Sequence, residues 1–144
     1  MSTILLIGRN GQVGWELQRT LAPLGKLIAF DRHALDLADA DAIRAAIRSI
    51  HPDIIVNAAA YTAVDQAETE NAVAMSINGK APGIMAEEAR STGAWLVHYS
   101  TDYVFDGTKN TAYEEGDTPN PLNVYGRSKL AGEQAIQAVG GRYT

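Results

Sequence analysis

With 144 residues, 46% hydrophobic and 20% charged, the chain is long enough for one domain with an ordinary core. A net charge of −5 argues against a nucleic-acid partner held by phosphate contacts, and the absence of cysteine excludes disulfide frameworks and thiolate metal sites. No apolar run approaches a membrane span and no basic segment leads into an apolar signal core, so the expected compartment is the cytoplasm.

Thr3–Ile7 is a short apolar run that predicts a strand. Gly8-Arg9-Asn10-Gly11-Gln12-Val13-Gly14 follows it and opens a helical stretch from Gly11 to about Pro23. Glycines so placed allow a tight turn, close approach of backbone to a pyrophosphate, and close helix–strand packing. The helix N-terminus then faces the phosphates. The plain alternative is a glycine-rich turn that only joins strand to helix; the strand before it and the helix after it favour dinucleotide binding.

Leu27–Phe30 predicts a second strand, ended by Asp31 about 20 residues beyond the glycines, where an acidic side chain accepts hydrogen bonds from a ribose. Arg32 beside it is placed to meet a 2′-phosphate, so NADH and NADPH both stay open. A turn residue is the bland alternative for Asp31. Asp36-Leu37 precedes the next helix and is placed to edge an adenine, or is a plain loop. Asp41–Ile50 carries Ile43, Ala46, Ile47 and Ile50 at helical spacing, and Asp53–Val56 is a third strand. Asn57-Ala58-Ala59-Ala60 follows, its small side chains leaving room for a ligand at the strand's carboxyl end.

An alanine-rich helical region runs from about Ala67 to Thr92, with a bend expected near Pro82-Gly83. Asp65, Glu68 and Glu70 read as its solvated start, and Trp15, Trp95 and Met75 as packing. Trp95–Tyr99 is a fourth strand, ended by Ser100-Thr101-Asp102, where a hydroxyl is placed to bond a substrate oxygen. Asp106–Pro121 is a loop, Asn123–Val139 a further helix, and Arg142-Tyr143-Thr144 begins like another strand. His33, His51 and His98 are too scattered to suggest a metal site.

Strands alternating with helices predict a Rossmann-like, doubly wound parallel sheet. In the expected order the second and third strands lie on one side of the first, and the fourth on the other.

Within the last helix stands Tyr125-Gly-Arg-Ser-Lys129. A tyrosine titrates near 10, so at neutral pH it is a poor proton shuttle unless its phenolate is favoured. A lysine four residues later lies on the same helix face, and its ammonium does favour the phenolate. Such a pair suits protonation of an alkoxide as hydride arrives. Alone the spacing is common on solvated helices; three elements distant in sequence, converging on one sheet edge, give it weight.

Gly8–Pro23, Asn57–Glu68, His98–Gly107 and Pro121–Glu133 together resemble the extended short-chain dehydrogenase/reductases, over essentially the whole chain. The Gly-x-x-Gly-x-x-Gly marks only the superfamily. Ser-Thr-Asp-Tyr-Val-Phe with Asn-Val-Tyr-Gly-x-x-Lys-Leu-x-Gly-Glu is more specific, and resembles the sugar-nucleotide ketoreductases. That resemblance implies a catalytic set of Thr101, Tyr125 and Lys129, with Tyr125 and Lys129 also touching the cofactor, NADPH or NADH. It implies pyrophosphate contacts at Gly11, Gln12 and Val13, a ribose contact at Asp31, and adenine contacts at Asp36 and Leu37. Ala60, Tyr61 and Thr62 would flank the cofactor, while Thr101 and Asp102 would meet a dTDP-sugar. The implied reaction reduces the 4-keto group of dTDP-4-dehydro-6-deoxy-L-mannose to dTDP-L-rhamnose, which feeds cell-surface polysaccharide.

Members of that family are longer than this chain, with a C-terminal region that grips the nucleotide sugar. The resemblance therefore implies little reductase activity for the 144 residues alone, and a free sheet edge open to pairing with another copy. Two other readings stand beside it. One is a nucleotide-sugar epimerase or dehydratase, although Asp102 is followed by Tyr103 and not by the Glu a dehydratase carries. The other is a dinucleotide-binding regulatory subunit, which would have no need to keep Thr101, Tyr125 and Lys129 together.

Overall fold

The computed structural model describes all 144 residues. Five strands form one sheet in the order β2-β1-β3-β4-β5: β1 Ser2–Ile7, β2 Gly25–Phe30, β3 Ile54–Asn57, β4 Trp95–His98 and β5 Arg142–Tyr143. Every pairing is parallel. The helices are α1 Gln12–Leu21, α2 Ala40–Ile50, the single turns α3 Val64–Ala67 and α4 Asn71–Ala74, then α5 Ala81–Thr92 and α6 Val124–Val139. No helix is long and apolar enough to cross a membrane.

The apolar run Ile4–Ile7 is wholly buried because β1 is covered on both faces. Ile4 and Leu6 meet Leu17 and Leu21 of α1 on one side. Leu5 and Ile7 meet Ile43 and Ile47 of α2 on the other, in a core that continues through Met85 of α5 to Ile136 of α6. Asp39 starts α2 by accepting from the Ala42 N–H at 2.9 Å. His51 ends it in the left-handed conformation, with its N–H bonded to the Ile47 carbonyl.

The expected strand order is corrected in one respect: β3 lies beside β1 on the side away from β2, with Ile4 opposite Ile54. The reason lies in the segment after β2. It turns at once, with Leu35 N–H bonded to Asp31 O and Ala38 N–H to Asp36 Oδ1, so no strand forms beside β2. Leu35 and Leu37 bury themselves in the α2-side core instead. The chain then returns across that face as α2 and delivers β3 beyond β1. Because such crossovers are right-handed, the step from β1 to β2 sends α1 to one face. The steps in the opposite direction send α2, α5 and α6 to the other.

The alanine-rich region is also not one helix. It breaks after Ala67, restarts at Asn71, and passes through a widened turn at Met75–Lys80, where the Ala81 N–H reaches Ser76 O, five residues back. The bend thus precedes Pro82, which sits in the first turn of α5. Lacking an N–H, Pro82 leaves the Asn78 carbonyl without an i+4 donor. Gly132 of α6 presses against that carbonyl, and a Cβ there would lie 2.2 Å from Asn78 O.

Between α2 and α5, buried Glu88 takes Arg44 at 2.9 Å and Arg48 at 2.7 Å. The Arg48 hydrogen bond comes first among the causes that hold its carboxyl below the usual range. Trp15 and Trp95 do not serve as packing residues: they are 68% and 42% exposed, the second with the Arg142 guanidinium 5.2 Å above its ring.

Gly132→Ala is expected to destabilise the fold by roughly 1–3 kcal/mol through forced overpacking at Asn78. Gly116→Ala, where a Cβ meets nothing within 4 Å, should leave thermal unfolding nearly unchanged.

Candidate active site

The glycine loop is fastened to the end of β2, since the N–H groups of Gly8 and Arg9 both donate to Phe30 O, at 2.9 and 3.1 Å. Gly8 has φ +92°, and a Cβ there would lie 2.6 Å from Ala59 N. At Gly14 a Cβ would lie 2.0 Å from Gly8 O, so the first and third glycines press α1 and the loop after β3 against the turn. Gly11 differs: its outer side is open, it starts α1, and no side chain caps the helix there. The free amides of the first turn therefore face outward, an arrangement suited to an anion.

Beside this loop lies a crevice of about 370 Å³, walled by the turns after β2 and by Ala58–Thr62 after β3. It brings together Gly8, Gly11, Asp31, Arg32, Asp36, Leu37, Ala60, Tyr61 and Thr62. Gln12 and Val13 stand outside its lining on the first turn of α1, and Gly14 is buried beneath it.

Asp31 combines both expectations for it. Its Oδ1 accepts from His33 N and Ala34 N, as a turn residue does, while its Oδ2 faces Asn10 Nδ2 and Arg9 Nε, each at 3.4 Å. The bond from Ala34 holds this carboxyl below its ordinary value; desolvation opposes it, and Arg9, His33 and Asn10 add to the lowering. Arg9 and Asn10 gave no signal of their own in the sequence; their positions within the glycine motif, opposite the residue that ends β2, are the clue.

The second group of residues sits at the ends of β4 and α6. Asn123 caps α6, its Oδ1 accepting from Gly126 N at 2.7 Å, and Glu68 Oε1 takes the Val124 N–H at 2.7 Å. Glu70 accepts from the Tyr61 hydroxyl at 2.6 Å. Glu68 thus makes a long-range contact and Glu70 a local one to Tyr61, and the two are not merely a solvated helix start. Gly126 lets α6 close on the turn after β4, since a Cβ there would lie 2.2 Å from Tyr103 O. That contact stands Tyr125 edge-on to Tyr103, ring centroids 5.5 Å apart, two residues from Thr101. Thr101 Oγ1 accepts from Tyr103 N and donates to Asp102 Oδ1, each at 3.3 Å. Asp106 gathers Thr108, Tyr113 and Asn120 around its carboxylate and so orders the loop that leads to α6.

Lys129 is 2% exposed, and its Nζ donates to Tyr99 O at 2.5 Å. Burial pushes it down to about 8, with the Glu133 charge acting against that fall. Asn78, fully buried in the widened turn, was not singled out from the sequence. Its side chain holds both backbone groups of Tyr61, at 2.8 and 3.0 Å, and donates to Ser128 Oγ at 3.0 Å. Ser128 in turn donates to Tyr125 O. The crevice wall and the Tyr125 helix are thereby joined through one amide. A polar residue within an otherwise helical, alanine-rich stretch was the only signal available.

An open parallel sheet whose glycine-lined crevice lies where the crossovers reverse is a Rossmann-like fold. The model of the RmlD substrate binding domain matches residues 1–144, and the chain belongs to that family. It is 55% identical over 138 residues to a dTDP-4-dehydrorhamnose reductase of Escherichia coli K12, covering 93% of this chain and 46% of that protein. It is 53% identical, with the same coverage, to the enzyme of that name from Salmonella typhimurium. A crystal structure of dTDP-4-dehydrorhamnose reductase from Bacillus anthracis in complex with NADP superposes with a TM-score of 0.93, at 39% identity, over 99% of this chain and 51% of that one. The chain spans about half the length of these relatives.

His98 lies next to Lys129 and is the one buried side chain with an unpartnered atom. Asn57 Nδ2 faces its Nδ1 at 3.1 Å, which puts the ring proton on Nε2, and Nε2 has no acceptor. Burial first, and then the Lys129 charge, push His98 down to about 4. The unfolded histidine titrates near 6.5, so between these values the unfolded chain binds a proton that the folded chain refuses. Its contribution is complete above about pH 6.5 and falls away by roughly 3 kcal/mol as pH drops toward 4. Urea unfolding across that window should show a shallower decline in His98→Gln than in the wild type.

Proposed function

We propose that the chain is the cofactor-binding half of a dTDP-4-dehydrorhamnose reductase, reducing the 4-keto group of a dTDP-6-deoxy sugar with NADPH or NADH. The observation that carries this reading is Lys129, a buried ammonium on the Tyr125 helix whose Nζ donates to Tyr99 O. Such a group has no structural need to be charged there, and its burial is costly unless used.

The crevice fits a dinucleotide on its own terms: amides of the α1 turn after Gly11 that no side chain caps, no room for a Cβ at Gly8 or Gly14, and an anionic Asp31 at the far wall. Gly11, Gln12 and Val13 would hold the pyrophosphate, Asp31 a ribose, and Asp36 and Leu37 the adenine. Ala60, Tyr61 and Thr62 would flank the nicotinamide end. Arg32, with Arg9 released from Asp31, offers guanidinium groups to a 2′-phosphate, which supports use of NADPH beside NADH. The bound dinucleotide supplies the hydride. As negative charge grows on the ketone oxygen, Tyr125 donates the proton, and Thr101, its hydroxyl turned from Asp102 to the substrate, orients the carbonyl. Lys129 favours the tyrosinate left behind and holds the nicotinamide ribose. The sugar nucleotide is completed by a region beyond these residues, as the relatives' length supports. Soluble dinucleotide and nucleotide-sugar pools make the cytoplasm the fitting compartment.

Within a chain of the relatives' full length, Tyr125→Phe should lower turnover by roughly a hundred- to ten-thousand-fold with little change in NADPH affinity. Lys129→Met should damage both. Near-wild-type turnover in Tyr125→Phe would end the assignment.

A further inference from the structure

One turn beyond Lys129 on α6 stands Glu133, a residue given no task by the roles above. Its Oε1 accepts from Ser100 Oγ, and Ser100 is the residue before Thr101 at the end of β4. Four residues apart on one helix, Lys129 and Glu133 share a face, so a carboxylate stands beside a buried ammonium. The other polar groups around that ammonium are few. From β4 comes His98, which stays neutral; just beyond that strand is the Tyr99 carbonyl; from β3 comes Asn57, which is uncharged and turned to His98. Glu133 is the carboxylate whose charge acts on Lys129.

We propose that Glu133 is a positioning residue for the ketone reduction: it ties the strand end carrying Thr101 to the helix carrying Tyr125 and Lys129, and supplies the counter-charge of the buried ammonium. The inference rests on the reductase reading for its catalytic meaning, but its physical content belongs to this chain alone. Two separable parts follow. The hydrogen bond to Ser100 fixes the distance between the Thr101 segment and α6. The charge keeps Lys129 protonated at neutral pH despite its burial, since an opposite charge favours the charged form. A glutamine at the same place keeps an acceptor for Ser100 and removes only the charge. An alanine at Ser100 keeps the charge and removes only the tie.

The test uses the 144-residue chain with its four lysines ¹⁵N-labelled, the Lys129 signal being followed by NMR against pH. In Glu133→Gln the Lys129 midpoint should fall by about one unit, and in Glu133→Asp it should return toward the wild-type value. Ser100→Ala should leave the midpoint in place. In a chain of the relatives' full length, Glu133→Gln should shift the alkaline limb of kcat downward in pH by the same interval, and Ser100→Ala should lower kcat without moving that limb. A Lys129 midpoint unmoved in Glu133→Gln, in a chain that still binds NADPH, overturns the proposal. A wild-type chain that binds neither dinucleotide would overturn the reductase reading and leave the Lys129 titration standing. Should Glu133→Gln fail to fold, wild-type-like turnover and pH profile in Ser100→Ala would overturn the tie by itself.

Discussion

Right-handed crossovers impose one consequence on a sheet whose first strand lies inside it: helices on opposite sides of that strand must occupy opposite faces. Here β1 has β2 on one flank and β3 on the other, so α1 leaves toward one face while α2 approaches from the other. The connections at the carboxyl ends of β1 and β3 diverge, and the crevice opens between them. Gly8 makes that geometry feasible at the turn. Its left-handed backbone and lack of a Cβ let the loop after β3 approach to a distance no side chain tolerates. Crevice, exposed α1 amides and the placement of Asp31 all derive from this single topological fact.

The other half of the site depends on a polar group at the helix contact. α6 approaches the widened turn before α5 closely because Gly132 faces the Asn78 carbonyl, which has no i+4 donor since Pro82 lacks an N–H. The same turn directs the Asn78 side chain inward, where it is satisfied three times over by Tyr61 and Ser128. A buried amide with all its bonds made gives positional definition that apolar contacts alone do not. Tyr61 and Tyr125, both packed on the small cluster of Ala67, Ala74 and Val124, are therefore set relative to one another before any ligand arrives.

Much of this was legible in the sequence where a local rule governs. The β1 run, the glycine turn and the Tyr-x-x-x-Lys spacing all sit where short-range physics put them. The position of β3 was not legible, because strand order is set by which way a connection crosses, and residues 31–39 carry no pattern that says so. The break after Ala67 and the widened turn at Met75–Lys80 were hidden for a related reason: alanine favours helix at every position, and the interruption serves a contact with α6 fifty residues away. Glu68 looked like a solvated acid because its partner, the Val124 amide, is equally distant. Long-range polar contacts of this kind leave no periodicity.

The claim on which the rest stands is that the crevice at the reversal of β1 and β3 holds a dinucleotide. It is most directly tested by titrating the 144-residue chain with NADPH, following the nucleotide's fluorescence, beside a Gly11→Glu variant. The open side of Gly11 accepts the new side chain without disturbing the fold, and its carboxylate then occupies the anion site at the start of α1. The account predicts saturable binding of one NADPH per chain in the wild type and its loss in Gly11→Glu with unfolding unchanged. Failure of the wild-type chain to bind, or equal binding by both, would contradict it.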